Sequence, residues 1–202
     1  MIPSNDSHSQ AAPPAGHVCP WWLGYALISP VRRLLESPER LLGPHVRPGM
    51  TVVEPGCGMG YFTLPLARMV GPAGRVVCPD LQPKMLAALE RRATRAGVRD
   101  RVTTIPCTPG DLRLQDWAGR ADLALAIHMV HEVPDPAAFF RQIHAALRPG
   151  GTLLLVEPKG HVSTEQFDRE TTVAISAGFD PPRPLPGIRG LAASLAKPGS
   201  GR

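Results

Sequence analysis

Four groups of residues in this chain have the types and the spacing to do chemistry. The first is Glu54-Pro55-Gly56-Cys57-Gly58-Met59-Gly60, a carboxylate at the end of the apolar run Thr51-Val52-Val53 followed by glycines at alternate positions. Glycine has no Cβ, takes positive φ freely and lets the backbone come close to a ligand. A helical pattern of apolar residues (Tyr61, Phe62, Leu64, Leu66, Ala67, Met69, Val70) begins directly afterwards. The start of a helix offers unpaired N–H groups and a partial positive charge, which suit an anion. Glu54 would repel a pyrophosphate but suits a cationic amine. The second group is Asp80, which follows Gly60 by twenty residues. At the end of a second strand, an acid is placed to accept hydrogen bonds from both hydroxyls of a ribose. A ligand with an ammonium, a carboxylate and a nucleoside satisfies both groups.

The third and fourth groups follow later apolar runs: His128-Met129-Val130-His131-Glu132, and Glu157-Pro158-Lys159-Gly160-His161. Histidine suits proton removal near neutral pH, and His131, Glu132 and His128 are the candidate bases. The same side chains have the donors for a metal. Strand-end residues converge on one rim in any open sheet, however, and no metal is assigned.

To bring these groups together, the chain must alternate strands and helices. Strands are predicted at Thr51–Val53, at Arg75–Cys78 running into Pro79-Asp80, at Val102–Ile105, at Ala121–Ile127 and at Thr152–Val156. Pro79 removes a ladder donor, which is tolerated only at a strand end. The run Ala121–Ile127 is almost continuously apolar, as a strand buried on both faces requires. Helices are predicted from Tyr61, from Pro83 to Ala96 with Met85, Leu86 and Leu89 inward, and from the cap Asp135-Pro136 to the stop Pro149-Gly150-Gly151. A further helix runs from the capping box Ser163-Thr164-Glu165-Gln166 to Gly178. Ser29-Pro30 and Ser37-Pro38 each read as an N-cap with proline at N1. The economical architecture is α/β: a Rossmann-like, doubly wound, mostly parallel sheet with helices on both faces.

The chain divides into a disordered tail (1–16), a helical cap (17–47) and a ligand-binding domain (48–202). The cap holds Trp21, Trp22 and Tyr25, which read equally as a lid over a substrate or as a helix packed on the core. Composition excludes several classes. With 202 residues, 43% of them hydrophobic, the chain makes one sizeable core. No apolar run is long enough to span a bilayer, and the first residues lack the order of a signal peptide. Cys19, Cys57, Cys78 and Cys107 lie far apart without paired spacing, which argues against a zinc site or disulfides. A cytoplasmic address follows. The net charge of +5 raises nucleic acid as a partner. The densest cluster, Arg91, Arg92, Arg95, Arg99 and Arg101, has no aromatic residues interleaved for base stacking and reads as a solvated helix face.

Glu54 to Gly60, Asp80-Leu81, the strand ending at His128 and the phrase Leu147-Arg148-Pro149-Gly150-Gly151 arrive in the order seen in class I S-adenosylmethionine (SAM)-dependent methyltransferases. The chain resembles that family over about residues 45 to 180, most of all its group of quinone and small-molecule methyltransferases. The resemblance implies SAM as cofactor and a small-molecule methyl acceptor. It implies that Gly56, Gly58 and Gly60 admit the methionine part, that Glu54 meets its amino group and that Asp80 binds the ribose. Leu81 would lie against the adenine and Asp111 near the adenine amino group, with Cys57, Met85 and His128 completing the set. It also implies a final antiparallel hairpin, for which only Leu191–Ala196 offers a strand pattern, so a short or frayed hairpin is expected. Two rivals stand beside this reading. One is an NAD(P)-binding Rossmann oxidoreductase, disfavoured by Tyr61 where a third fingerprint glycine belongs; the other is a non-catalytic SAM-binding module.

Overall fold

A computed structural model describes residues 37–199. The expected tail at 1–16, the Trp21-Trp22-Tyr25 cluster and the Ser29-Pro30 helix lie outside these residues. The elements in chain order are α1 (Pro38–Leu42), β1 (Thr51–Val53), α2 (Thr63–Val70), β2 (Arg75–Asp80), α3 (Pro83–Arg95) and β3 (Val102–Pro106). They continue with β4 (Ala121–Ile127), α4 (Pro136–Ala146), β5 (Leu147–Glu157), α5 (Thr164–Ser176), β6 (Arg183–Pro184) and β7 (Leu191–Ala196). The strands form one sheet in the order β3-β2-β1-β4-β5-β7-β6. β1 to β5 are parallel, and β7 runs antiparallel to β5 with β6 on its outer edge. The expected doubly wound sheet is present, and the terminal hairpin is short, β6 having two residues.

Period-two alternation places successive strand residues on opposite faces. Val52, Val76, Cys78, Leu123, Leu125, Leu154 and Val156 point to one side, where Leu66, Leu86 and Leu89 of α2 and α3 cover them. Val53, Val77, Ala124, Ala126, Leu153 and Leu155 point to the other, beneath Phe139, Phe140 and Ile143 of α4 and Phe167 of α5. Both faces are dry, which is why β4 and β5 read as unbroken apolar runs. Leu41, Leu42 and Val46 join the first cluster, so the segment around α1 is continuous with this core.

Local chemistry sets the helix ends. Ser37, Asp135 and Ser163 accept hydrogen bonds from the N–H groups of Arg40 (3.4 Å), Ala138 (2.9 Å) and Gln166 (3.2 Å), which satisfies donors the first turn leaves open. Two boundaries differ from expectation. α2 starts at Thr63 rather than Tyr61, because Gly60, at φ 85°, still belongs to the turn. α4 stops at Ala146, and β5 begins at Leu147, before the Pro-Gly-Gly stop. Pro149 forces the residue before it out of the helical region. Residues 148–151 then bulge between the pairs Ala121↔Leu147 and Leu123↔Thr152. Gly151 allows the bulge to close, since a Cβ there would lie 2.9 Å from the Arg148 carbonyl.

The carbonyls left open at the end of α4 are met from the far end of the chain. Lys197 Nζ donates to the His144 oxygen at 2.8 Å and to the Leu147 oxygen at 2.7 Å, a cation where the helix dipole is negative. Replacing the ammonium by an apolar group leaves those carbonyls without their donor. Lys197→Met is expected to lower stability by about 2 kcal/mol, read as an earlier urea midpoint with an unchanged slope; an unaltered midpoint would remove this cap from the account.

Candidate active site

β1 neighbours both β2 and β4, so the chain leaves β1 toward one side of the sheet and later returns on the other. Such a switch point opens a crevice at the carboxyl ends of the strands. The glycine turn after β1 and the segment after β4 meet there: a Cβ built on Gly56 would lie 3.8 Å from Met129 Cε.

The glycine turn is pinned from below by backbone hydrogen bonds. Glu54 N–H donates to the Val77 oxygen and Gly56 N–H to the Pro79 oxygen, each at 2.8 Å. Pro79 sits inside the ladder, paired with Ile105 one residue from the end of β2, and contributes through its carbonyl. The Arg92 guanidinium donates to the Met59 carbonyl and Arg101 to that of Ala67 at 3.1 Å. Of the arginine cluster expected to be solvated, Arg91, Arg95 and Arg99 are exposed, whereas Arg92 and Arg101 are half-buried because backbone oxygens hold them.

Gly56, Gly58 and Gly60 have φ of 65°, 53° and 85°, yet they serve different purposes. A Cβ on Gly58 would meet nothing within 4 Å, whereas one on Gly60 would come 2.5 Å from Leu89 Cδ1. Gly58 therefore faces open space and Gly60 seats the turn on α3. Asp80, 7% exposed, accepts from Gly58 N–H at 2.9 Å on one oxygen and from Gln82 N–H at 2.8 Å on the other. Burial raises its pKa, and the two N–H donors oppose the rise. The Cys57 thiol also donates to Oδ2, so Oδ1 is the oxygen that retains a lone pair for a hydroxyl.

Glu54 is in a different state. It is 5% exposed, and its Oε2 has no hydrogen-bond partner among the described residues. Burial pushes its pKa up to about 8, with the Thr63 hydroxyl counteracting and the Asp80 charge adding to the rise. A buried carboxyl lacking a counter-charge, beside a turn with room at Gly58, fits the ammonium end of the cofactor that the resemblance implies.

The remaining expected cofactor residues take varied places. Leu81 is one of two large apolar side chains among the described residues that stay exposed, immediately after Asp80. Met85 is 4% exposed and packs with Met59 and Ala88, beneath the turn. The Cys57 thiol lies 3.9 Å from Asp80 Oδ2 and, buried beside Cys78, is held well above its ordinary pKa. Asp111 closes a turn, accepting from Arg113 N–H at 2.8 Å and Gln115 Nε2 at 3.2 Å.

On the other wall, His128 has φ 55°, a left-handed conformation that is rare outside glycine and costs strain. It turns the chain from β4 into a 3₁₀ turn, Val130–Glu132. Glu157, at the end of β5, is fully buried. Its Oε1 accepts from Val130 N–H at 2.8 Å and His131 N–H at 3.4 Å, and its Oε2 lies 2.6 Å from His131 Nδ1. Burial raises the pKa of Glu157 against the pull of His131 and these N–H groups. Glu132 is exposed, 3.9 Å from His131 Nε2, and His161 is exposed on the next loop. The structure thus brings His131 and Glu157 together and leaves His161 apart.

Sequence reasoning placed Glu157 on the rim but missed its grip on His131. It missed Glu170 altogether, although an acid within the inner stripe Phe167, Glu170, Thr171, Ala174 of α5 is a readable anomaly.

Two outcomes follow. Because Glu54 must ionise to meet a cation, adenosylhomocysteine affinity should rise by up to about tenfold per pH unit from pH 6 toward 8, with proton release on binding. Titration calorimetry in buffers of different ionisation heat checks this; a flat profile would separate Glu54 from the ligand. Gly58→Ala should cost about 1–2 kcal/mol for its positive φ and weaken adenosylhomocysteine by about a hundredfold, 1.4 kcal/mol per tenfold. Gly60→Ala should instead show its main loss in thermal stability.

Comparison with known proteins agrees with this geometry. The sequence model of the family described as "Methyltransferase domain" matches residues 53–155, just over half of the chain. The chain is 37% identical over 111 residues to the ubiquinone biosynthesis O-methyltransferase of Methylobacterium sp. (strain 4-46), covering 54% of this chain and 41% of that protein. It is 39% identical over 115 residues to the ribosomal protein L11 methyltransferase of Pelotomaculum thermopropionicum, covering 57% and 34%. The chain therefore matches less than half the length of these two relatives. In fold, it is similar to a SAM-dependent methyltransferase from Aquifex aeolicus, with a TM-score of 0.77 at 20% identity over 89% of this chain and 98% of that one. With the strand order, the glycine turn at the switch point and the family match in agreement, this chain belongs to the methyltransferase-domain family and has the class I SAM-dependent fold.

Proposed function

We propose that the chain transfers a methyl group from SAM to a hydroxyl of a small, phenolic or quinone-like acceptor by in-line displacement. His131 takes the acceptor's proton, and Glu157 holds His131 for that task. The observation that carries this reading is the pairing of the buried Glu157 carboxylate with the half-buried His131 imidazole, 2.6 Å apart, at the end of β5 and beyond that of β4. It lies two residues from Met129, which borders the glycine turn.

When bound, SAM supplies a methyl already activated by the sulfonium, so the protein has mainly to bind, orient and exclude water. Glu54 and the N–H groups of the glycine turn would hold the amino-acid end, Asp80 the ribose and Leu81 the adenine face. A charged hydrogen bond of this kind contributes about 1.5–3 kcal/mol. With Nδ1–H donated to Glu157, His131 presents Nε2 as the acceptor of a proton. Once charged, the imidazolium is flanked by the carboxylates of Glu157 and Glu132, which stabilise it.

The acceptor class rests on likeness and on size. The Methylobacterium relative's name specifies O-methylation, in which a hydroxyl must lose its proton. The Pelotomaculum relative's name specifies a ribosomal protein, but the cavity beside His131 is only about 260 Å³ and favours a small molecule. A Rossmann oxidoreductase is disfavoured by the buried Glu54 at the point where a pyrophosphate would sit.

Differential thermal stability is the first test. Adenosylhomocysteine at a hundred times its Kd should add about 2.7 kcal/mol while NADH adds nothing; the reverse would overturn the reading. With a phenolic acceptor that turns over, His131→Asn should lower kcat by about 10²–10⁴ without altering adenosylhomocysteine affinity. Glu157→Gln should lower kcat less, and an unchanged kcat in both variants would remove the base.

A further inference from the structure

His131 has a second neighbourhood. It lines a cavity of about 260 Å³ bounded by the 3₁₀ turn, the start of α4 and one face of α5. Val130, Val133 and Val173 give it aliphatic walls, and Gln166, Glu170 and His131 give it a polar side. Glu170 is 6% exposed; its Oε1 accepts from Gln166 Nε2 at 3.3 Å, and its Oε2 has no hydrogen-bond partner among the described residues.

A buried carboxyl oxygen without a donor is costly, by about 1–3 kcal/mol or more when charged. No hydrogen-bond donor among the described residues reaches that oxygen. Arg169 also lines the cavity, but no ion pair joins it to Glu170 among the described residues. Burial, then the Glu157 carboxylate, push Glu170 up to about 7, against weaker pulls from Gln166, His131 and Arg169. A neutral hydroxyl would satisfy one lone pair, whereas a cation would also relieve the repulsion between the two carboxyls. The volume lies below the roughly 300–1,000 Å³ of pockets for whole drug-sized ligands, so it suits one end of a molecule. Met129 and His131 are two residues apart, so their Cα atoms are at most about 7.6 Å apart. The cavity wall at His131 therefore lies close along the chain to Met129, which borders the glycine turn.

We infer that this cavity is a subsite for a small organic ammonium group, with Glu170 Oε2 as its partner and the valines around its aliphatic stem. Resting on the methyl-transfer reading, the ammonium belongs to the acceptor, which is an amine-bearing phenol or catechol.

Benzylamine and its neutral counterpart benzyl alcohol are suitable probes, titrated into the full chain while valine methyl resonances are followed by NMR. Benzylamine should saturate, shift the Val133 and Val173 methyls, and bind at least about tenfold more tightly than benzyl alcohol. Its affinity should rise between pH 6 and 8 as Glu170 ionises, and Glu170→Gln should weaken it about tenfold while leaving adenosylhomocysteine binding intact. Equal affinity for amine and alcohol, or benzylamine binding indifferent to Glu170→Gln, overturns the subsite. The comparison of the two probes on the unaltered chain stands even if that variant fails to fold. Adenosylhomocysteine, titrated separately, keeps the two readings apart. Its binding without any benzylamine response sinks the subsite alone, and a benzylamine response without it keeps the subsite and sinks methyl transfer.

Discussion

The hydrogen bond from Gly58 N–H to the Asp80 carboxylate is the constraint from which the rest of the site takes its shape. A turn of three positive-φ glycines gives up much backbone entropy on folding, which must be opposed by something fixed. Asp80 supplies that fixed point because its own second oxygen is tied to Gln82 N–H, at the entry to α3. The end of β2, the start of α3 and the glycine turn are thereby joined through one buried carboxylate. The residue proposed to hold the ribose thus also fixes the turn beside it.

Four acids lie buried in or beside the crevice: Glu54, Asp80, Glu157 and Glu170. Their partners divide them. Asp80 receives two backbone N–H groups, and Glu157 receives two more together with an imidazole. Those two are built into the scaffold. Glu54 and Glu170 each keep an oxygen without a donor, and both are pushed far above the ordinary carboxylate range, to about 8 and about 7. A buried carboxyl in that state is costly to ionise unless a donor or a cation pairs with it. The satisfied acids hold backbone in place, and the unsatisfied ones are those with capacity left for a ligand.

Much of this was legible in the residues. The short hairpin was expected only from the family resemblance, whereas strand and helix order and the doubly wound sheet followed from alternation, apolar runs and caps, because those signals are local. The turn from Glu54 to Gly60 and the acid at Asp80 were legible for the same reason. Long-range partnerships were not. That Arg92 would serve the Met59 carbonyl, or Lys197 the end of α4, depends on where helices and strands lie after folding. Glu157 read as one rim acid among several; only the register of β5 against β4 shows that it faces the 3₁₀ turn. The early end of α4 was missed because Leu147 is apolar on the helical period, and its pairing with Ala121 outweighs that preference.

The tie from Lys197 to α4 also bears on how the molecule comes into being on the ribosome. β5 is flanked by β4 on one side and by β7 on the other, and β7 is contributed by residues 191–196. Until those residues have emerged, the nascent chain carries a long, leucine-rich strand with an open edge, the kind of surface that recruits other chains. Synthesis of the cradle is finished well before that edge is sealed. Guarding β5 during translation is thus a demand that this topology places on the cell.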